Sequence, residues 1–251
     1  MSDPFAHRLR RRERLLGSFS VELPAAAVPE ALAQSGFDFL VVDTEHSAYS
    51  LSQVAALVVA CRAVGIASVV RVTDHSRSAI TRAADMAPDA LMVPGVETAA
   101  EARTIIERSK YAPLGSRGVC PMVAYSGLAG DRYETLNDTL ALILQVEGPT
   151  GLRNGSEIAA VEGVDALFVG PYDLSQSLGL PAPDHPEVLA AGTALRSAMP
   201  PAMALGVYAT DGAMAAAWLG AGASFITYGT DAQLFLAACR SARESIEVLV
   251  G

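Results

Sequence analysis

Basic residues are scarce: 18 Lys and Arg stand against 27 Asp and Glu, a formal net charge of −9. Beyond Arg8, Arg10, Arg11, Arg12 and Arg14 they form no run, so neither nucleic acid nor an anionic membrane is expected as a partner. Cysteine is scarce too. Cys61, Cys120 and Cys239 are odd in number and lack C-x-x-C spacing, which supports neither a disulfide framework nor a zinc ribbon and fits a reducing, cytoplasmic setting. No apolar run approaches the roughly 18 residues that a transmembrane helix needs. Nor does a G-x-G-x-x-G follow the first strand-like run, where a dinucleotide fold needs glycines for close approach to pyrophosphate. The start, Met1 to Arg14, has arginines with no apolar stretch behind them, so it is read as a solvated N-terminal arm and not a secretory signal.

What is present is a regular alternation. Strand-like runs at Leu15–Val21, Phe37–Val42, Ala67–Val70, Ala90–Val93, Leu142–Glu147, Ala166–Gly170, Met203–Tyr208 and Ser224–Thr227 are separated by helical stretches. These are Ala25–Gln34, Ser50–Val64, Ser76–Met86, Thr98–Lys110, Ser156–Val161, Glu187–Ser197 and Gly212–Leu219, with a final helix over Ala232–Leu249. Eight such units in 251 residues predict a single closed (β/α)₈ TIM barrel over residues 15–251, with an open doubly wound sheet as the runner-up. The interval Tyr111–Asn137, rich in Gly, Pro and small residues, reads as a long functional loop.

In such a barrel the polar residues that follow the strands collect on one face, where active sites sit. Here they are Asp43, Glu45 and His46 after the second strand, Arg71 after the third, Gln145 and Glu147 on the fifth, and Asp173 after the sixth. Taken singly each has a dull explanation, a helix cap for an aspartate or a rim salt bridge to Glu45 or Asp43 for Arg71. Their convergence points to chemistry. Glu147 and Asp173 end two successive apolar runs and are hard oxygen donors. Together they could share a Mg²⁺- or Mn²⁺-like ion and leave positions open for water and a chelating substrate.

The elements Gly36-Phe-Asp-Phe-Leu-Val-Val-Asp43-Thr-Glu-His46, Val70-Arg71, Leu91-Met-Val-Pro94, Gly115-Ser-Arg-Gly118, Leu144-Gln145-Val-Glu147 and Gly163-Val-Asp-Ala-Leu-Phe-Val-Gly170-Pro-Tyr-Asp173-Leu-Ser175 resemble the HpcH/HpaI class II pyruvate-dependent aldolases. The resemblance runs from about Leu15 to about Cys239. It implies that a divalent ion (Mg, Mn or Co) is held by Glu147 and Asp173 and stabilises a pyruvate enolate with help from Arg71. It also implies that His46 is the catalytic base, oriented by Asp43. Gln145 is then expected to contact the bound 2-oxo acid or its water. The turn Gly170-Pro171-Tyr172-Asp173 should open a short helix whose free N–H groups receive the substrate carboxylate.

The reaction so implied is reversible cleavage of a 4-hydroxy-2-oxo acid to pyruvate and an aldehyde, through a metal-bound enolate. Oxaloacetate decarboxylation or a specialised condensation stays open as the alternative, and a non-catalytic metabolite-binding barrel is the rival outside enzymes. A homo-oligomer, a hexamer or trimer of dimers, is implied, with the C-terminal helix packed on a neighbour. Two segments depart from the family pattern: Glu147-Gly148-Pro149, and Cys120-Pro-Met-Val-Ala-Tyr125-Ser-Gly in the long loop. Both are expected to shape the aldehyde subsite.

Overall fold

Apolar runs of four to six residues pair side by side in chain order and close on themselves. The computed structural model describes residues 3–120 and 132–250. Its strands are β1 (Leu15–Ser20), β2 (Phe39–Asp43), β3 (Ala67–Arg71), β4 (Ala90–Val93), β5 (Ala141–Val146), β6 (Ala166–Val169), β7 (Ala204–Ala209) and β8 (Phe225–Thr230), all parallel in a closed barrel of order β1 to β8. Around it lie α1 (Phe5–Arg10), α2 (Ala27–Gln34), α3 (Leu51–Val64), α4 (Arg77–Asp85), α5 (Ala99–Ser109), α6 (Arg132–Thr139), α7 (Pro149–Arg153), α8 (Gly155–Ala159), α9 (Pro171–Ser177), α10 (Pro186–Ala198), α11 (Gly212–Gly220) and α12 (Asp231–Val250). The expected (β/α)₈ barrel is therefore the fold.

Local chemistry sets the helix ends. Ser50 and Gln53 form a capping box at the start of α3, which stops where Gly65 takes a left-handed φ of 82°. Thr98 and Glu101 cap α5 in the same way. Among the described residues no helix is long and apolar enough to cross a membrane.

Side-chain alternation along each strand makes two cores. Outward residues such as Leu40, Val70, Leu91 and Leu167 pack under the helices. Inward residues such as Phe39, Val41, Met92, Ile143, Phe168 and Phe225 fill the barrel. Large and small alternate there: a Cβ on Gly17 would lie 2.4 Å from the Phe39 ring, and one on Gly206 2.2 Å from Phe225.

The N-terminal arm differs from the expected solvated segment. Phe5, Ala6 and Leu9 of α1 are buried in the same cluster as Phe39 and Phe225, and the Phe5 and Phe39 rings lie 5.4 Å apart. The arm therefore plugs the N-terminal end of the barrel. Two of its arginines serve that docking through ion pairs: Arg8 pairs with Asp38 at 2.7 Å, Arg10 with Asp165 at 2.7 Å and Asp138 at 2.6 Å. The long loop is also shorter than expected, because α6 begins at Arg132. Residues 121–127 of the departing segment lie outside the described residues.

Candidate active site

The strand register assembles the site. Asp43 and Arg71 are direct partners across β2 and β3, and both side chains point into the C-terminal mouth of the barrel. Arg71 Nε and Nη2 donate to the two Asp43 carboxylate oxygens at 2.9 and 2.6 Å, while Nη1 lies 3.3 Å from Glu45 Oε2. The guanidinium also stacks 4.9 Å above the Phe19 ring. Burial works against its charge, but the Asp43 bonds outweigh that and raise its pKa. Asp43 is wholly buried.

That arrangement corrects one expectation. Asp43 does not orient His46: its carboxylate is engaged by Arg71 and by the Glu45 amide at 2.9 Å. The side chain that faces His46 is Glu45, 3.6 Å from its Nε2. Burial raises the Glu45 pKa, against the charges of Arg71 and His46, which pull it down. The imidazole itself is open to solvent, at 65% side-chain exposure.

On β5 the period of two continues past the strand end, so Gln145 and Glu147 face the same way as inward Ala141 and Ile143. Glu147 Oε1 accepts from the Gly95 amide at 3.0 Å, and its Oε2 accepts from Gln145 Nε2. The carboxyl is pushed up to about 7, first by burial and next by the charge of Asp173. Gln145 is buried with its Oε1 unpartnered. Gly170 must be bare here, since a Cβ would sit 2.9 Å from Glu147 Oε2 and 3.0 Å from Gln145 Nε2. Immediately after it Pro171 opens α9, as expected, with no side chain capping its first turn.

Asp43, His46, Arg71, Gln145, Gly170, Pro171, Tyr172 and Asp173 line one cavity of about 420 Å³, and Glu147 meets Asp173 again in an adjoining cleft. A larger cavity of about 890 Å³ lies at the plugged end, around Arg10, Lys110 and Asp165. Its two cations are already engaged, Lys110 with the Asn137 and Leu140 carbonyls and Arg10 with acids, whereas the strand-end residues converge on the smaller one.

The family model for "HpcH/HpaI aldolase/citrate lyase" matches residues 19–238. The chain belongs to the HpcH/HpaI aldolase/citrate lyase family. It is 35% identical to 2-keto-3-deoxy-L-rhamnonate aldolase of Escherichia coli strain K12 over 94% of this chain and 90% of that relative. Among solved structures it is similar to an HpcH/HpaI aldolase/citrate lyase family protein of Burkholderia cenocepacia J2315, with TM-score 0.89 and 36% identity over 96% of this chain and 98% of the other. The citrate synthase SbnG is also similar, with TM-score 0.86 and 27% identity over 97% of each chain.

HpcH/HpaI aldolases depend on a divalent metal, and the residues here fit one. Among the described residues no cluster of three or more His, Cys, Asp and Glu side chains could hold an ion. What the barrel offers instead is two neighbouring carboxylates, Glu147 and Asp173, with the orphaned Gln145 oxygen beside them. This is a sparse, all-oxygen set suited to a Mg²⁺-like ion that keeps most positions for water and substrate. The lining residues overlooked in the sequence are Phe19, Val21, Phe168, Tyr208, Thr230 and Gln233. They stand on or near the ends of β1, β6, β7 and β8; only Phe168 lies on one of the strands where polar strand ends were sought, and the same criterion extended to β7 and β8 reaches Tyr208, Thr230 and Gln233.

Proposed function

We propose that this chain is a divalent-metal-dependent aldolase that reversibly cleaves a 4-hydroxy-2-oxo acid to pyruvate and an aldehyde. The observation that carries the reading is the Glu147–Asp173 carboxylate pair beside a buried, doubly carboxylate-held arginine and an open histidine, all at one barrel mouth. Glu147 and Asp173 would hold the divalent ion, Mg²⁺, Mn²⁺ or Co²⁺, which would supply Lewis-acid charge for the 2-oxo acid. Arg71 places a permanent second charge against the developing enolate oxygen, and Asp43 keeps the guanidinium from swinging away. Gln145 donates or accepts at the same oxo acid, and the uncapped start of α9, from Gly170 through Tyr172, faces its carboxylate. His46 takes the C4 hydroxyl proton as the C3–C4 bond breaks, with Glu45 beside the imidazole at 3.6 Å.

The likeness to a citrate synthase favours a second reading on the same half-site, condensation of the enolate with another partner. Product analysis with oxaloacetate and with a hydroxy-oxo acid separates the two. We also propose a cytoplasmic homo-oligomer, a hexamer or trimer of dimers. Phe235, Leu236 and Ile246 on α12 are exposed apolar residues that support such packing.

The test is a pair of assays: pyruvate release from a 4-hydroxy-2-oxo acid, and solvent deuterium uptake into the pyruvate methyl group. Both are expected with the metal-loaded enzyme and to vanish with EDTA. His46→Ala should lose cleavage by roughly 10²–10⁴, the contribution of a positioned base. Cleavage at the parent rate in that variant would move the base elsewhere, with Glu45 next in line.

A further inference from the structure

One wall of the catalytic cavity is polar, uncharged and given no role by the chemistry of the pyruvate half. Tyr208, at the end of β7, donates its hydroxyl to Gln233 Oε1 at 2.9 Å, and the Thr230 amide donates to the same oxygen at 3.1 Å. The amide of Thr230 can only donate, so the Gln233 atom facing it is the carbonyl oxygen, and Tyr208 must donate as well. This fixes what the pair has left. Gln233 keeps two Nε2 hydrogens, and Tyr208 Oη keeps its lone pairs. Thr230 and Gln233 also form a capping box at the start of α12, since Gln233 N donates to Thr230 Oγ1 at 3.3 Å. The cap uses the amide oxygen and the backbone; it leaves the amide nitrogen unused.

A donor and an acceptor side by side match a hydroxyl group, which accepts with its oxygen and donates with its hydrogen. They do not match a carboxylate, which only accepts. The remaining surroundings agree with that. Among the described residues the only permanent cation lining the cavity is Arg71, and it is held by Asp43 and Glu45. Across the mouth the Tyr172 ring meets Tyr208 at 5.9 Å, and Phe19 stands at 5.9 Å from Tyr208. The polar pair thus sits on an otherwise aromatic wall. A cavity of about 420 Å³ has room for pyruvate and a short aldehyde together.

We infer that Tyr208 and Gln233 form the acceptor subsite and select a short hydroxyaldehyde over an unsubstituted or carboxylate-tailed one. The inference rests on the aldolase reading above. It is tested in the direction of synthesis, in which C3 of the pyruvate enolate bonds to the aldehyde carbon and the new alkoxide is protonated. Glyceraldehyde, propanal and 4-oxobutanoate serve as acceptors, and the readout is the ratio of kcat/KM values for the first over each of the others.

The parent should prefer glyceraldehyde to both. Tyr208→Phe and Gln233→Glu should each cut the glyceraldehyde-to-propanal ratio by about five- to ten-fold, the worth of one hydrogen bond. Gln233→Glu is the sharper variant, because its carboxylate still accepts from Thr230 and Tyr208 and so keeps the cap, while the donor is gone. It carries the test alone if Tyr208→Phe fails to fold. A parent that prefers 4-oxobutanoate or propanal, or a Gln233→Glu ratio equal to the parent's, overturns the inference. Pyruvate methyl exchange by the parent keeps the two ideas apart. Exchange without a hydroxyl preference removes the subsite alone, whereas no exchange removes the aldolase reading and the subsite with it.

Discussion

Asp43 and His46 are three residues apart in the chain, and it is natural to read them as a carboxylate–imidazole pair. The partner of Asp43 is instead Arg71, 28 positions away, because the two are register mates on adjacent parallel strands. Spacing within a turn is visible in a sequence; register across strands is not until the barrel closes. The difference changes what substitutions do. Arg71→Ala should lose about 10²–10³ in turnover, as for an oxyanion donor. It should also melt early, because Asp43 is left buried and uncompensated, a cost of about 3–5 kcal/mol. The double variant Arg71→Met/Asp43→Leu removes both charges and should regain much of the melting temperature without regaining turnover. If turnover returns with stability, Arg71 merely holds the rim and does not touch the enolate. Asp43→Asn acts through Arg71 on this account, so its effect should track that of Arg71→Lys and not that of His46→Ala.

At the scale of elements, the strands were legible as short continuous apolar runs and most of the helices between them from their apolar content and end signals, while the short helix opening at Pro171 was what the family resemblance implied for that turn. The burial of the first helix was not legible. Its six residues hold Phe5, Ala6 and Leu9 among arginines, and so short an apolar stripe is outweighed by the charge around it. Its burial depends on the open barrel end that only the tertiary fold supplies. The arginines then find acids at the starts of β2 and β6, Asp38 and Asp165, and Arg12 finds the backbone carbonyls of Pro201 and Gly222 ahead of β7 and β8. Leu9→Ala should therefore cost about 2–5 kcal/mol in chemical denaturation, the range for a buried leucine. The kcat/KM should stay at the parent value, since α1 lies at the barrel end opposite the site. A stability loss below about 0.5 kcal/mol, ordinary for surface positions, would return the arm to solvent.

The whole molecule divides into a plugged, ion-paired N-terminal end and an acidic C-terminal mouth. The sequence shows the second because strand-end carboxylates stand out against apolar runs. It shows the first poorly because the ion pairs join residues far apart in the chain. At the mouth, Glu147, Asp173 and Glu45 are brought close enough for each of the other two to raise the Glu147 pKa, and among them only Glu45 has Arg71 within 4 Å. A cation that binds among these acids in the folded state alone would stabilise it by mass action. With Mg²⁺ or Mn²⁺ at about a hundred times its Kd the gain is about 2.7 kcal/mol. For a chain of this size that is roughly 5–10 °C in Tm. Glu147→Gln keeps an oxygen for the Gly95 amide yet removes one charge of the pair. Without metal it should melt at or above the parent; with metal the order should reverse, because the variant gains little from the ion. The measurement is a melting curve for parent, Glu147→Gln and Asp173→Asn, each with EDTA and with excess divalent ion, and it needs no substrate. Equal metal-induced shifts in all three proteins would mean that the ion sits elsewhere and that the two carboxylates only repel each other.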